Sequence, residues 1–581
     1  MSSIHKDSDS FQDQDSKSEL EAHLGVVTVE AAEKVYGKYS KWFLFIGLGL
    51  ASYIYSLDGS TTINYLAFAA SSFSKHSLLA SIQVAQAVIP ACGNPVVAKI
   101  ADVSSRATAY VVVLLLYVVG YIIVASSHNI ETLGGGLVIY SCGSYGLLLL
   151  TSIITADITT LKWRGLLSGL TGAPFIINGF IGANVSASVL EHAGWRWGYG
   201  MFAILVPASL SPLIVTLYWA ENKAKKLGLV KAPSSSDPRR TITQIVWNYA
   251  EQLDVVGLLL LCAAIALILI PLTLSQTVNG GWNNPSIIAM LVVGCVLCLV
   301  FGVWDFRFAK RPVVALRFLK NRAVVASSWA GFFDFVSGSL TTTYLYSFVL
   351  VVKPWSLINT NYFASCANVS LCVFGICGGI YMRFAHRYKW LLVVSHVIRL
   401  AGVGMMIHSR GANGSDVELV FTQIIQGLGG GIAVAALMVG VQASVPHSDV
   451  AIITAISALW SEIGGAVGTA IAGAIWTNTM PKNLAKYVGF LPEDQRAELF
   501  GSITDVMMYP RGDPIREGVI TAYSETMLVL VVTGTAIAVL PVICSLFMPD
   551  YYLGDTQNAV DDVGLAGERV STAPVSQTES P

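Results

Sequence analysis

About fourteen apolar stretches, each roughly 17–25 residues long, recur along this 581-residue chain, and a helix of that length crosses the hydrocarbon core of a bilayer. In hydrocarbon every backbone N–H and C=O must be paired within the protein, so segments of this kind span as helices. Composition agrees: only 12% of the residues are charged, against about 25% in soluble domains. The expected fold class is an all-α membrane protein with about 14 transmembrane helices. Its function is to be sought where polar groups break the apolar runs.

Helices are predicted near 42–60, 78–98, 107–126, 132–156, 166–189, 198–219, 253–274, 285–304, 323–349, 362–382, 389–408, 417–442, 449–476 and 521–547. An even number places both termini on one side. Loops after even-numbered helices hold Lys99 and Arg106, Lys162 and Arg164, Lys223, Lys225 and Lys226, the run Arg307 to Arg322, and Arg383, Arg387 and Lys389. The other short loops carry about one basic residue each, so both termini are expected in the cytoplasm. The turn near Val445–Val450 carries none and is too short to reverse the pattern. Residues 1–40 are polar and acidic, without the apolar core of a cleavable signal peptide. They and the tail 549–581 are expected to be disordered cytoplasmic segments. An outer loop of roughly 40 residues, 477–520, holds Tyr487, Phe490, Tyr509, Arg511 and Arg516. Loops of that length in a compact domain are commonly lids, and a plain tether is the other reading.

Several chemistries find no support. The nine cysteines are irregularly spaced, and Cys295 and Cys298 form a C-x-x-C inside an apolar helix with no second pair or His nearby, which reads as small buried hydrophobes. No metal-ligand set, nucleophile motif or phosphate loop is visible. Gly427–Gly431 lies in a predicted helix with no strand before it, so a dinucleotide site is excluded. The chain is expected to be no enzyme, to need no cofactor and to bind no nucleic acid. With no ATPase motif present, any transport would draw on an ion gradient.

Between the second and third helices stands Ala98-Lys99-Ile100-Ala101-Asp102-Val103-Ser104-Ser105-Arg106. It resembles the cytoplasmic signature of the major facilitator superfamily. Asp102 and Arg106 match that signature, whereas Ala98, Val103 and Ser105 depart from it. An Asp at a helix end paired with Arg can latch a gate, and the bland alternative is an ordinary turn. Helix 5 is rich in Gly and carries Pro174 (Gly169, Gly172, Gly179 and Gly182), similar to helix 5 of proton-coupled antiporters of that superfamily; helix 13 carries Gly464, Gly465, Gly468 and Gly473. Small residues at such spacing let helices approach closely.

The resemblance sharpens along the chain. Tyr53-Ile54-Tyr55-Ser56-Leu57-Asp58-Gly59 with Tyr65 and Phe68, then Gly194-Trp195-Arg196-Trp197-Gly198, Val445-Pro446-His447-Ser448-Asp449, and Tyr509 to Arg516 before Tyr523, together resemble the fungal siderophore–iron transporter family, a fourteen-helix branch of the superfamily. The likeness covers roughly residues 40–550. It implies proton-symport uptake of ferric siderophores at a fungal plasma or endosomal membrane. It also implies a six-helix bundle at 41–220, two extra helices within 221–322, and a second bundle at 323–548, the halves rocking about a central site. The alternative is a proton-coupled exporter or exchanger of small organic compounds such as glutathione or drugs. Oligomeric state is not legible.

Charged groups inside a bilayer are costly and point to function by default. Asp58, Asp334 and Glu462 are the candidates for proton coupling, because a carboxyl in an apolar cavity takes up a proton near working pH. A structural role, a pair with an Arg or a buried hydrogen bond, is the competing reading for Asp334 and Glu462. Asp157 is expected to form a salt bridge at a helix end with Lys162 or Arg164. Asp102 and Arg106 are the candidate gate. Tyr55, Asp58, Tyr65, Phe68, Tyr344, Tyr509 and Arg516 are the candidate contacts for a bulky chelate, the alternative for the aromatics being an interfacial belt. Iron inside its chelator would need no ligand cage from the protein.

Overall fold

The computed structural model describes residues 24–72, 79–230, 247, 250–275, 280–310, 312–411, 414–501, 503–561 and 564–565. Fourteen long helices dominate these residues: α1 (Lys38–Ser72), α2 (Leu79–Val103), α3 (Arg106–Ala125), α4 (Ile130–Asp157), α5 (Leu161–His192), α6 (Gly194–Lys226) and α7 (Val255–Leu274), followed by α8 (Pro285–Arg307), α9 (Arg322–Thr342, resumed at Leu345–Val352), α10 (Leu357–Ala385), α11 (Lys389–Ser409), α12 (Asp416–Ala443), α13 (Val450–Tyr487) and α14 (Pro514–Phe547). Thirteen of them are apolar and long enough to cross a membrane, and α2, with 25 residues, is the remaining one.

The packing repeats with an offset of eight helices. In the first half α1 packs on α5 and α6, α3 on α4 and α6, and α2 on α4; in the second, α9 packs on α13 and α14, α11 on α12 and α14, and α10 on α12. The halves meet at two seams, α2 against α13 and α5 against α10, which the same offset exchanges. Helices α7 and α8 stand outside this repeat. They pack on each other, and α7 leans on α2 and α13. Only 11% of the apolar stretch of α8 is covered by protein, so its surface is left for lipid.

Close approach at these contacts depends on glycine. A Cβ on Gly169 of α5 would lie 2.8 Å from the Cα of Ile376 in α10, and one on Gly464 of α13 would lie 2.2 Å from the carbonyl oxygen of Phe332 in α9. Gly464→Ala is therefore expected to force α9 and α13 apart, at a cost of about 1–3 kcal/mol. Thermal melting of the detergent-solubilised protein would show it. Gly302→Ala, in α8 with nothing within 4 Å of its added methyl, should leave melting unchanged.

The helices run further than predicted at several ends. Helix α1 does not stop at Asp58–Ser60 but continues to Ser72, because Ser60, Thr61 and Thr62 donate to the carbonyls of Ser56, Leu57 and Asp58 at 2.8–2.9 Å instead of leaving the helix. Helix α13 extends to Tyr487, and α14 opens at Pro514 with an Asp513 cap onto Ile515 N at 2.8 Å. The outer segment thus shrinks to residues 488–513, most of it in two short helices, Glu493–Gly501 and Ile503–Met508.

Both expected tails are partly ordered. A helix at Leu24–Glu33 buries Ala31, and Val35 just beyond it, against Ala224 and Val230, and residues 549–561 lie against the face that carries the termini. Apolar anchors, Leu553 among them, supply the burial that their polar composition hid. Residues 1–23 fall outside the described residues.

Candidate functional site

A cavity of about 330 Å³ opens between the halves, within the usual range for small-molecule sites. Helix α4 contributes Tyr145, Thr151, Ser152 and Thr155, and α5 contributes Ser168 and Thr171. From the second half come Cys372, Gly375, Gly431, Met438, Thr454 and Glu462. Hydroxyls and the amide of Asn94 on α2 are therefore set in an apolar wall. No Lys, Arg or His lines it among the described residues, and Glu462 is its only carboxyl. Among the described residues Glu462 has no ion-pair or hydrogen-bond partner there. Tyr55 of α1 sets its ring edge-on to Phe175 of α5 at 5.9 Å.

The other two membrane carboxyls are occupied, and in corresponding places. Asp58 on α1 meets α3, and Asp334 on α9 meets α11, the helix pair that the eight-helix offset relates. Asp58 is fully buried. It accepts hydrogen bonds from the hydroxyls of Tyr117 and Tyr121, and from Tyr140 of α4 at 2.7 Å. Asp334 pairs instead with a guanidinium: Arg399 Nη1 donates to its Oδ2, and Nη2 donates to its backbone oxygen at 3.1 Å. His396, one turn before Arg399, is 2% exposed. One half thus holds its carboxyl with hydroxyls and the other with a cation, while Glu462 alone faces the cavity.

On the face that carries the termini, charged groups tie the halves together. Asp102 and Arg106 pair at 2.7 Å, and Arg106 Nε donates to Asp157 Oδ2 at 2.8 Å. The other oxygen of Asp157 faces His447 Nε2 at 3.0 Å, and His447 Nδ1 faces Glu30 at 3.2 Å. His447, in the turn before α13, belongs to the second half, so Asp157 joins the candidate gate pair to the opposite bundle. The expected partners of Asp157, Lys162 and Arg164, bond elsewhere: Lys162 to Asp555 at 3.6 Å, Arg164 to backbone and amide oxygens.

Tyr65 is fully buried within the first half, edge-on to Tyr199 with ring centroids 5.6 Å apart. Phe68 lies on the last turns of α1, its side chain outside the described residues. Tyr344, at the break in α9, stacks on Trp476 at 4.1 Å, and Trp476 meets Tyr523 edge-on at 5.1 Å. Tyr509 packs into the same outer cluster. Arg516 is buried and donates to the carbonyls of Val506, Leu350 and Val351, bracing the outer segment on the end of α9. Arg511 donates to Val352 O at 3.0 Å. The structure therefore places Glu462 on the cavity and Tyr55 at the α1–α5 contact, and it sets Tyr65, Tyr344, Tyr509 and Arg516 in packing and bracing roles in this conformation.

Sequence reasoning passed over Tyr117, Tyr121, Tyr140 and Tyr145. The signal was available, since Tyr117 and Tyr121 are one helical turn apart in an otherwise aliphatic segment. His447 stood within a quoted motif, but nothing in spacing links it to Asp157.

The Major Facilitator Superfamily model matches residues 44–469. The chain is 35% identical to the siderophore transporter fer7 of Mycosarcoma maydis, over 94% of this chain and 86% of that one. It is 36% identical to the MFS siderochrome iron transporter C of Aspergillus fumigatus, over 92% and 88%. The low affinity heme transporter str3 of Schizosaccharomyces pombe is 33% identical, over 93% and 87%.

Proposed function

The chain belongs to the siderophore–iron transporters of the major facilitator superfamily, and from that premise we propose that it imports ferric siderophores by symport with protons. The observation that carries this reading is the lone carboxyl of Glu462 in a hydroxyl-lined cavity without a cation. A chelate of little net charge meets apolar wall, hydroxyls and one amide there. An anionic one, such as haem with its carboxylates, meets no counter-charge and one carboxylate, and desolvation of its charge goes unrepaid. The family includes a heme carrier by name, and this lining speaks for a chelate of low charge here.

In the proposed cycle the terminus-bearing face is cytoplasmic, as the basic loops suggest. Chelate and proton enter from the outer side, the proton resting on Glu462, and the halves then rock about the α2–α13 and α5–α10 seams. Rocking parts Asp157 from His447 and opens the cytoplasmic face, where the proton and chelate leave. Asp58 and Asp334 remain candidates for coupling through exchange of their hydrogen-bond partners.

The test is uptake of radioactive iron on a panel of chelators in cells lacking other iron carriers. Uptake is expected for low-charge chelates, with haem iron poorly taken up. An uncoupler should abolish it while cellular ATP is held constant. Continued uptake under that condition rules out symport, and efflux of a loaded organic compound with no iron uptake would favour the exporter reading instead.

A further inference from the structure

Beyond Met548 the chain turns back and crosses the face that carries the termini, bonded to both halves. On the second half, Leu553 N donates to His386 O at 3.0 Å, Leu553 O lies 2.8 Å from His386 Nδ1, and Ala559 N donates to Ala443 O at the end of α12, 3.1 Å away. Tyr388 donates its hydroxyl proton to Pro549 O, and Arg387 pairs with Asp550 at 3.2 Å. On the first half, Leu161 N and Lys162 N donate to Thr556 O and Gly554 O, both at 3.0 Å.

Between these attachments sits Gln557, fully buried. Arg164 Nη2 donates to its Oε1 at 2.7 Å and to its backbone oxygen at 2.8 Å. Gln557 Nε2 in turn donates to Ala156 O, in the last turn of α4, at 3.0 Å. Arg164 is itself fully buried. Its other acceptors are the carbonyls of Ala156 and Thr159, at 2.9 and 3.2 Å, and no carboxylate pairs with it among the described residues. A buried cation compensated only by oxygens depends on each of them, and Gln557 supplies two.

We propose that residues 549–561 are a gate element of the transport cycle, with Arg164 and Gln557 as the bolt that holds the terminus-bearing face shut. The proposal rests on the alternating-access reading. To open that face, the α4–α5 turn must separate from the α10–α11 turn and the end of α12. A short segment bonded to both cannot follow both. It continues directly from α14, so it travels with the second half, and the bonds that break are those of Gln557, Thr556 and Gly554 to the first. Release leaves Arg164 short of two acceptors, which biases the face toward closure until substrate binding offsets that cost. Arg164 and Gln557 are positioning residues. They touch neither the cavity nor the candidate proton carriers.

The test measures the opening itself. Spin labels are placed on cysteines introduced at exposed Lys226, at the end of α6, and exposed Lys320, just before α9, in the full chain with native cysteines replaced. Their distance distribution is read by pulsed dipolar spectroscopy without substrate. Gln557→Ala should raise the long-distance population relative to the short one on the order of tenfold, the scale of one charge-assisted hydrogen bond. Replacing 549–561 by a Gly/Ser linker of equal length should do the same. Gln557→Glu keeps an acceptor for Arg164 and should hold the short distance, whereas Lys162→Ala, which removes only a partly exposed ion pair with Asp555, should change nothing. An unchanged distribution in both Gln557→Ala and the linker chain overturns the gate. Iron uptake by the native chain is scored separately. If uptake fails while the distances shift, the transport reading is wrong and the bolt stands; if uptake is normal and the distances do not move, the bolt alone is wrong.

Discussion

Glu462→Gln is expected to abolish concentrative iron uptake, with a loss on the order of 10²-fold or more, the scale for removal of a positioned proton-transfer group, while chelate binding survives. Three carboxyls are the candidates for proton coupling, and their surroundings differ. Asp58 is enclosed by three tyrosine hydroxyls, and Asp334 is held by Arg399. Among the described residues Glu462 alone borders the space that substrate would fill, with no partner there to release before it can exchange a proton. The amide of Gln preserves size and polarity, so the cavity should keep its shape. The decisive comparison sets equilibrium binding of a ferric chelate to membranes against accumulation in cells, at equal surface abundance. Accumulation at native level in Glu462→Gln would remove Glu462 from the coupling path. Loss of both binding and accumulation would make it a substrate contact rather than a proton carrier.

Fourteen helices were legible because hydrocarbon forces the issue: a run of apolar residues long enough to span has no other stable backbone arrangement. Helix ends were less legible, since membrane helices continue past the hydrocarbon wherever local hydrogen bonding suffices. Gly59-Ser60-Thr61-Thr62 looks like a stop in water, yet the hydroxyls bond back one turn and the helix goes on. The gate residues Asp102 and Arg106 were found because they sit four apart at a helix junction. Their link to the other half was not, because it runs through His447, 290 positions from Asp157, and no periodicity encodes that contact. The strap at 549–561 was missed for a related reason. It has no helix or strand pattern, and its order comes from acceptors and donors that both bundles present to it.

The candidate contacts divide along the same line. Tyr55 owes its contact with Phe175 to the face of α1 that turns toward α5, which helical spacing can suggest. Arg516 was read as a charge awaiting an anion. Instead, the end of α9 offers it two backbone carbonyls and the outer segment a third, that of Val506, and a buried guanidinium so occupied is a brace. Charge alone could not separate those roles, because the acceptors are main-chain atoms that leave no mark in the sequence.

Breaking the Asp334–Arg399 pair from one side is expected to destabilise the protein severely, by about 3–5 kcal/mol for either Asp334→Leu or Arg399→Leu, because each leaves one buried charge uncompensated. Arg399 is 9% exposed and Asp334 6%. The guanidinium also fits closely: a Cβ on Gly338 would lie 3.1 Å from its Nη2, and one on Gly430 would lie 3.3 Å from its Nη1. The double substitution removes both charges and leaves apolar side chains in their place, which is commonly close to neutral for a buried pair. Surface abundance and melting temperature should therefore fall sharply in each single variant and recover in the double. The recovered double variant then separates the two readings of Asp334. If it accumulates iron at native rates, the pair serves the fold alone. If it is abundant and binds chelate but cannot accumulate it, Asp334 carries the proton by exchanging Arg399 for a proton during the cycle, and Glu462 is not the sole coupling group.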